Sequence, residues 1–362
     1  MPPVPIRVGI AGLGRSGWDI HANLLAPLPD RFQIVAVVDD SAERRDQAVE
    51  RFDCQAYTAY DDLVRDPAVE LLVVALPSYL HGEATIAALA AGKHVVCEKP
   101  MAVSLAEADA MIEAAHRHDR VLTVFQQRRY DPAFVKVQEV IASGSLGRIV
   151  QIRMAESRFG RRWDWQTLQK FGGGSLNNTG PHLLDQALQL FGLAEPTVAC
   201  LLDRTLTLGD ADDHVKILLQ APCPEGSQPT IDIEISSCDA YPPANWHISG
   251  TLGGLTGSAR RLEWKWVIPA EMSPRELDTR PTPDRSYNRD ALTWHQDEWE
   301  YTGDMADAYR QYYVDLYATL RAGAPLMITA DSVRRVIWLQ QECHRGSPLG
   351  APLPGRPLGP AD

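Results

Sequence analysis

A lysine that closes a buried strand is placed to do chemistry, and Lys99 is such a residue: Val95, Val96 and Cys97 read as an apolar strand running straight into Glu98-Lys99-Pro100. At the carboxyl-terminal edge of a parallel sheet, such a side chain faces the crevice in which these sheets bind ligands. There it can act on a substrate hydroxyl instead of only solvating a surface. A second constellation lies downstream, where Gly172-Gly173-Gly174 precedes Ser175, Leu176, Asn177 and Asn178, then Pro181, His182 and Asp185. Pro181 suits a first helical turn, so Asn178 falls at or just before a helix start. Leu184, Ala187, Leu188 and Phe191 share the apolar stripe of that helix, His182, Asp185 and Gln189 share the opposite side, and Gly192 ends it. Three glycines ahead of a helix permit close approach by something flat or charged, and His182 sits at that same end.

A third signal opens the chain. Gly12, Leu13, Gly14, Arg15, Ser16 and Gly17 fit G-x-G-x-x-G directly after a strand and directly before a helix. The first glycine permits a tight turn, the second lets a pyrophosphate approach the backbone, and the third lets helix and strand pack closely. The helix N-terminus adds N–H groups and partial positive charge, so a dinucleotide is the expected ligand. Asp39 ends the second strand, where an acidic residue accepts hydrogen bonds from the adenosine ribose. Asp40 beside it would repel a 2′-phosphate. NAD is therefore expected ahead of NADP, with Arg44 and Arg45 pulling the other way. Leu76, Pro77, Ser78 and His81 follow the Leu71–Leu76 strand and are expected to border the nicotinamide side, together with Glu98 and Lys99. His81 reads equally well as a helix-start histidine bonded to backbone. Around the same rim, Gln126 and Arg128 follow the strand that ends at Phe125, and Trp163 lies among Arg161, Arg162 and Trp165. Gln126, Arg128 and Trp163 are the expected substrate contacts.

These residues need a scaffold, and the hydropathy pattern supplies one. Ile6–Ala11, Gln33–Val38, Leu71–Leu76, Val95–Cys97 and Val121–Phe125 are short apolar strands. Helices at Ala42–Phe52 (Ala48, Val49 and Phe52 inward) and Leu80–Ala91 separate them, as does the one that the Ser104–Glu107 capping box opens. Such alternation implies a parallel sheet covered on both faces. Asp131-Pro132 launches a further helix to about Ser143. From Gly147 the period becomes two: Val150, Ile152 and Met154, then Ile231, Ile233 and Ile235, alternate with polar residues. Strands are also expected at Val198–Leu206, His214–Leu219, Trp246–Thr251 and Arg261–Val267. This is an antiparallel sheet buried on one face, whose other face needs water or another subunit. Ala221–Pro229 and Ser273–Asp284 read as loops. A late helix, Asp304–Ala322, carries Tyr309, Tyr312, Tyr313, Leu316 and Leu320, and is expected to pack between the domains. The expected fold is an α/β domain with a parallel, doubly wound sheet (1–125), followed by an α+β domain with a large, mostly antiparallel open sheet (126–345). Residues 346–362, with five prolines and four glycines, read as an extended tail.

Composition narrows the function. At 362 residues with 45% hydrophobic and 23% charged content, the chain is that of a soluble two-domain protein. A net charge of −12 argues against a phosphate-binding surface for nucleic acid or an anionic membrane. The six cysteines show no metal-ligand spacing and read as free thiols of a reducing compartment. With no signal-peptide pattern and no apolar run long enough to span a membrane, a cytoplasmic protein is expected.

The glycine-rich opening with His21 after it, the Glu98-Lys99-Pro100 motif and the GGG…H-x-x-D segment together resemble the glucose-fructose oxidoreductase / inositol dehydrogenase / rhizopine-catabolism (Gfo/Idh/MocA) family, over nearly the whole chain except the tail. The resemblance implies a Rossmann domain, and a second domain whose open sheet face forms subunit contacts in a homodimer or homotetramer. It implies NAD-dependent oxidation of a secondary hydroxyl on a sugar, inositol or related polyol. It carries Lys99 over as the residue that polarises the hydroxyl, and His182 as the proton acceptor. Many members place an aspartate four residues before this histidine, where this chain has Asn178. An amide can orient a hydroxyl but cannot take its proton, so His182 is expected to act without a relay. Two alternatives stay open: an NAD-retaining enzyme that modifies or cleaves glycosides by transient oxidation, and a dinucleotide-binding regulator without turnover.

Overall fold

The computed structural model describes residues 4–192, 195–220, 229–280, 282 and 285–349. Its first domain grows from the apolar strands β1 (Ile6–Ala11), β2 (Phe32–Val38), β3 (Gln55–Tyr57), β4 (Leu71–Val74), β5 (His94–Cys97) and β6 (Leu122–Val124). They pair in the order β3-β2-β1-β4-β5-β6, all parallel. Helices cover both faces, so Val8, Ile10, Leu72, Val73, Val95 and Val96 are fully buried. Those helices are a segment wound with wide π-type turns (Arg15–Ala22) running into α1 (Asn23–Leu25), then α2 (Ala42–Phe52), α3 (Tyr60–Arg65), α4 (His81–Ala90) and α5 (Leu105–Arg117). Serine caps start two of them: the Arg44 N–H donates to Ser41 Oγ at 3.4 Å, and the Glu107 N–H to Ser104 Oγ at 3.2 Å. Glu107 returns its bond one residue earlier than the expected box, to the Val103 N–H. On α2, Ala48 is buried, but Val49 lies on the exposed side, contrary to the reading of its spacing. Because the strand order reverses between β1 and β4, a crevice opens above their carboxyl ends.

The second domain begins with α6 (Pro132–Ala142), capped by Asp131, whose Oδ1 accepts the Ala133 N–H at 3.1 Å. Then follow β7 (Ile149–Ser157), α7 (Ser175–Asn178), α8 (Gly180–Phe191), β8 (Thr197–Asp203), β9 (His214–Gln220), β10 (Thr230–Ser236), β11 (Trp246–Gly250), β12 (Gly253–Gly257), β13 (Arg261–Trp266) and β14 (His295–Glu300). The strands form one sheet in the order β14-β13-β12-β11-β7-β10-β9-β8. Only β7 and β10 pair in parallel. Ile231, Ile233 and Ile235 pack with Val215, Ile217 and Leu219 beneath α6 and α8. On the opposite face Lys216 bridges Asp232 and Glu234. Two large apolar residues stand exposed beside that ion cluster, Leu201 at 69% and Leu218 at 43%.

Two helices complete the chain, α9 (Met305–Ala322) and α10 (Ala330–Gly346). The expectation that α9 lies between the domains is corrected. Its Tyr312, Tyr313 and Leu316 join the core of the first domain, with Tyr312 edge-on to Phe125 and Tyr313 edge-on to Phe32. The bridging element is α10, which was not among the expected helices. Val333 and Ile337 enter the first core, while Val336, Leu339 and Cys343 enter the second. The loop expected at Ser273–Asp284 is irregular where it is described. Expectations for 221–228, 281, 283, 284 and 350–362 lie outside the described residues. No helix among the described residues is long and apolar enough to cross a membrane.

Candidate functional site

The crevice between the domains is a cleft of about 1150 Å³ that runs from Asp39, past the glycine-rich turn, to Lys99 and Asn178. The turn is built for close approach. A Cβ on Gly12 would sit 2.7 Å from the Ala75 carbonyl oxygen, and one on Gly17 1.8 Å from the Gly12 carbonyl oxygen. At Gly14 a Cβ would meet no protein atom within 4 Å, because this glycine borders the cleft. That shape accepts a dinucleotide pyrophosphate at a helix start. Arg15 and Ser16 also line the cleft, whereas Leu13 is buried and its N–H is committed to Asp39 Oδ2 at 2.7 Å.

At the far end, Asp39 is held on both oxygens, since the Ser41 N–H donates to Oδ1 at 2.9 Å. Arg44 lines the cleft with its guanidinium 3.5 Å from Asp39 Oδ2. Arg45 is used elsewhere, donating to the carbonyl oxygens of Asp39 and Asp40. Thr58 and Tyr60 extend this end, and nothing in their spacing marked them in advance.

The sheet edge supplies the other end. Leu76, Pro77, Ser78 and His81 all border the cleft. Both ring nitrogens of His81 are taken by backbone, Nδ1 with the Pro100 carbonyl at 2.8 Å and Nε2 with the Leu76 carbonyl at 2.9 Å. Of the two readings of His81, this is the one bonded to backbone. Glu98 is buried behind Lys99. His21 Nε2 donates to its Oε1 at 3.1 Å, and the Lys99 N–H donates to its Oε2 at 2.9 Å. The Tyr313 hydroxyl meets His21 Nδ1 at 2.6 Å and can donate or accept as the imidazole requires. Burial pushes the Glu98 carboxyl up, but the His21 imidazole, then the charge and N–H of Lys99, overcome this and hold it down at about 2.

Lys99 crosses to the second domain. Its Nζ donates to the Asn178 carbonyl oxygen at 2.9 Å and to Asn178 Oδ1 at 3.3 Å. Burial, then the charges of Arg128 and Arg15, push its ammonium down, opposed by Glu98 and Glu156. His182, one turn beyond Asn178, is buried, and its Nδ1 finds no partner among the described residues. Burial first, then Arg128, Lys99 and Arg15, push the imidazole well below its ordinary value, so it is neutral at cellular pH. Asp185 does not orient it. That carboxylate is gripped by both arms of Arg129, at 2.6 and 2.8 Å, and Arg129 also reaches Ser332 on α10.

The expected substrate contacts divide. Arg128 is tied to Glu156 on β7 by both terminal guanidinium nitrogens, and its charge acts on Lys99 and His182. Gln126 is buried, donates to the Pro181 carbonyl at 3.1 Å and leaves Oε1 unpartnered among the described residues. Trp163 stands 75% exposed and does not line the cleft. Its neighbours Arg162 and Trp165 do, and Tyr79 packs edge-on to Trp165 and against Phe171 across the domain boundary. The reading also missed Asp212, which anchors α7 by accepting the Leu176 N–H on Oδ2 at 2.7 Å. Burial pushes its carboxyl up to about 6, partly offset by backbone N–H donors. An isolated acidic pair such as Asp212-Asp213 in a loop carries no pattern that names its partners.

Comparison with known proteins fits this geometry. The family model described as "Oxidoreductase family, NAD-binding Rossmann fold" matches residues 6–126, and the GFO/IDH/MocA C-terminal domain matches residues 134–256. An uncharacterized oxidoreductase of Schizosaccharomyces pombe is 33% identical over 69% of this chain and 70% of its own length. A scyllo-inositol 2-dehydrogenase (NADP(+)) of Bacillus subtilis is 35% identical over 54% of each chain. Among solved structures, an NAD-binding protein from Listeria innocua superposes with a TM-score of 0.77 over 95% of this chain and 97% of its own, at 23% identity, a likeness of fold. The chain belongs to the GFO/IDH/MocA oxidoreductase family. It is an oxidoreductase with an NAD-binding Rossmann domain.

Proposed function

We propose that this oxidoreductase oxidises a secondary hydroxyl of an inositol, sugar or related polyol, reversibly, with NAD preferred to NADP. The observation that carries the proposal is the meeting of Lys99 with Asn178 in the lining of the cleft, one helical turn from the buried His182. Bound NAD would supply the hydride acceptor. Gly12, Gly14, Arg15 and Ser16 would hold its pyrophosphate, with Gly17 packing the helix against the turn behind them, and Asp39 its adenosine ribose. Lys99 Nζ holds the reacting hydroxyl oxygen and stabilises the negative charge that develops on it as the carbon loses hydride. His182 takes the hydroxyl proton, for which a neutral imidazole is suited. Asp39 supports NAD because a doubly held carboxylate at the ribose edge repels a 2′-phosphate, although a relative named for NADP shows that the family is not uniform. The exposed sheet face with Leu201 and Leu218 is the surface through which copies of the chain associate in this reading.

The test is a panel of inositols, aldoses and other neutral polyols with NAD, followed by NADH absorbance, for the native chain and Lys99→Ala. At least one polyol is expected to reduce NAD. Lys99→Ala is expected to lose about 10²–10³-fold in kcat while binding NADH nearly as before. A Lys99→Ala enzyme that keeps most of its turnover would exclude the assignment.

A further inference from the structure

We propose that Asn178 is a positioning residue for charge: it holds the Lys99 ammonium with neutral oxygens and so adds no negative charge of its own to offset the cation's field at His182 and the reacting oxygen. The proposal rests on the reading above for the place of the reacting hydroxyl. Both of its contacts to Lys99 Nζ, a backbone carbonyl at 2.9 Å and an amide oxygen at 3.3 Å, are uncharged acceptors.

The carboxylates whose charge reaches this ammonium, Glu98 and Glu156, spend their hydrogen bonds elsewhere. Glu98 gives one oxygen to His21 and the other to the backbone N–H of Lys99, not to its ammonium. Glu156 on β7 is bound by both arms of Arg128, and Asp185 on the helix of His182 is bound by both arms of Arg129. Three cations carried on three elements act on His182 through their charge: Arg128 after β6, Lys99 after β5 and Arg15 from the glycine-rich turn. Protonating the imidazole would add a fourth positive charge beside these three. The amide at position 178 thus does two things at once. It fixes Nζ in place, and it leaves the imidazole in the form that accepts a proton.

A carboxylate at 178 would fix Nζ just as well but cancel its charge. His182 would then titrate at higher pH, and its neutral form would be confined to higher pH. The low-pH limb of polyol oxidation would move up with it. Geometry alone does not separate the amide from an acid; charge does.

The experiment is a pH titration of ¹⁵N-histidine-labelled protein by NMR, without dinucleotide, with the His182 signal assigned by its loss in His182→Gln. Asn178→Asp is expected to move the His182 titration up by about one pH unit. Lys99→Met, which removes the cation outright, is expected to move it up as well, and this arm stands if the aspartate variant does not fold. His182 titrating at one pH in all three proteins would overturn the proposal. So would a shift in Asn178→Asp with none in Lys99→Met, since Lys99 would then not be the charge involved. With an oxidised polyol in hand, the low-pH limb of Asn178→Asp moves by the same amount. A chain that oxidises no polyol while these titrations shift as stated would remove the proposed reaction and leave this inference intact.

Discussion

Glu98→Gln probes the buried support of Lys99. Glu98 accepts on both oxygens, from His21 Nε2 at 3.1 Å and from the Lys99 N–H at 2.9 Å. An amide keeps one acceptor and turns a donor toward the other donor, and leaving a buried donor unpaired costs about 1–3 kcal/mol. The depressed carboxyl gives a second magnitude for the same interactions. The carboxyl is held down from an ordinary 4.5 to about 2. At about 1.4 kcal/mol per pH unit, that displacement corresponds to roughly 3 kcal/mol of stability. The folded value lies below the unfolded one, so the contribution is fully present above about pH 4.5 and is lost as pH falls toward about 2. Between about pH 5 and pH 3 the native chain should lose roughly 2 kcal/mol that the glutamine variant has already lost. Urea unfolding followed by tryptophan fluorescence, repeated at stepped pH, measures this directly. The variant is expected to be roughly 3 kcal/mol less stable at neutral pH, with the gap narrowing by roughly 2 kcal/mol at about pH 3. Two stability curves that run parallel through this range would refute the role given to the His21–Glu98–Lys99 network.

Other perturbations follow from the same geometry. Asp39→Ser removes the carboxylate while leaving Arg44 in the cleft, so the ratio of NADPH to NADH affinity should rise by about tenfold or more, read by fluorescence titration; an unchanged ratio would show that Asp39 does not select the cofactor. Asp185→Asn leaves Arg129 without its buried partner and should cost about 3 kcal/mol in urea unfolding, although burial pushes the Asp185 carboxyl up even beside Arg129. The same variant should leave the His182 titration in place, and a shift there would return Asp185 to the imidazole. Leu201→Glu with Leu218→Glu should reduce the sedimentation mass if the exposed sheet face joins copies of the chain, and an unchanged mass would assign that contact elsewhere.

The parts legible in the sequence are those whose period or chemistry is local. Ile231, Ile233 and Ile235 alternate because one face of β10 is buried and the other bears the Lys216 ion pairs. Asp131-Pro132 and the serines at 41 and 104 mark helix starts because their oxygens take orphan N–H groups there. What escaped depends on partners distant in sequence. Val333, Val336, Ile337 and Cys343 recur at helical spacing in α10, but that spacing cannot show that Val333 and Ile337 serve one core while Val336, Leu339 and Cys343 serve the other. β14 is a charged edge strand, His295–Glu300, and β12 is mostly glycine, so neither shows apolar alternation. At the site, the glycine-rich turn, Asp39, Lys99 and Asn178 could be placed because a strand or helix end fixes each one. Trp163 could not, since a loop tryptophan points wherever its neighbours allow, and here Trp165 faces the cleft in its place. Arg128 was legible as a rim cation, but its partner Glu156 lies 28 residues on, near the end of β7.

Hydride transfer beside Lys99 is tested most directly with isotope. A polyol found to be oxidised is prepared with deuterium on the reacting carbon, turned over with NAD, and the reduced dinucleotide is analysed by mass spectrometry. The proposed chemistry predicts one deuterium per NADH in the native enzyme, and almost no NADH from Lys99→Ala. Product formed with no deuterium on the dinucleotide, or equal labelling in the Lys99→Ala enzyme, would contradict it.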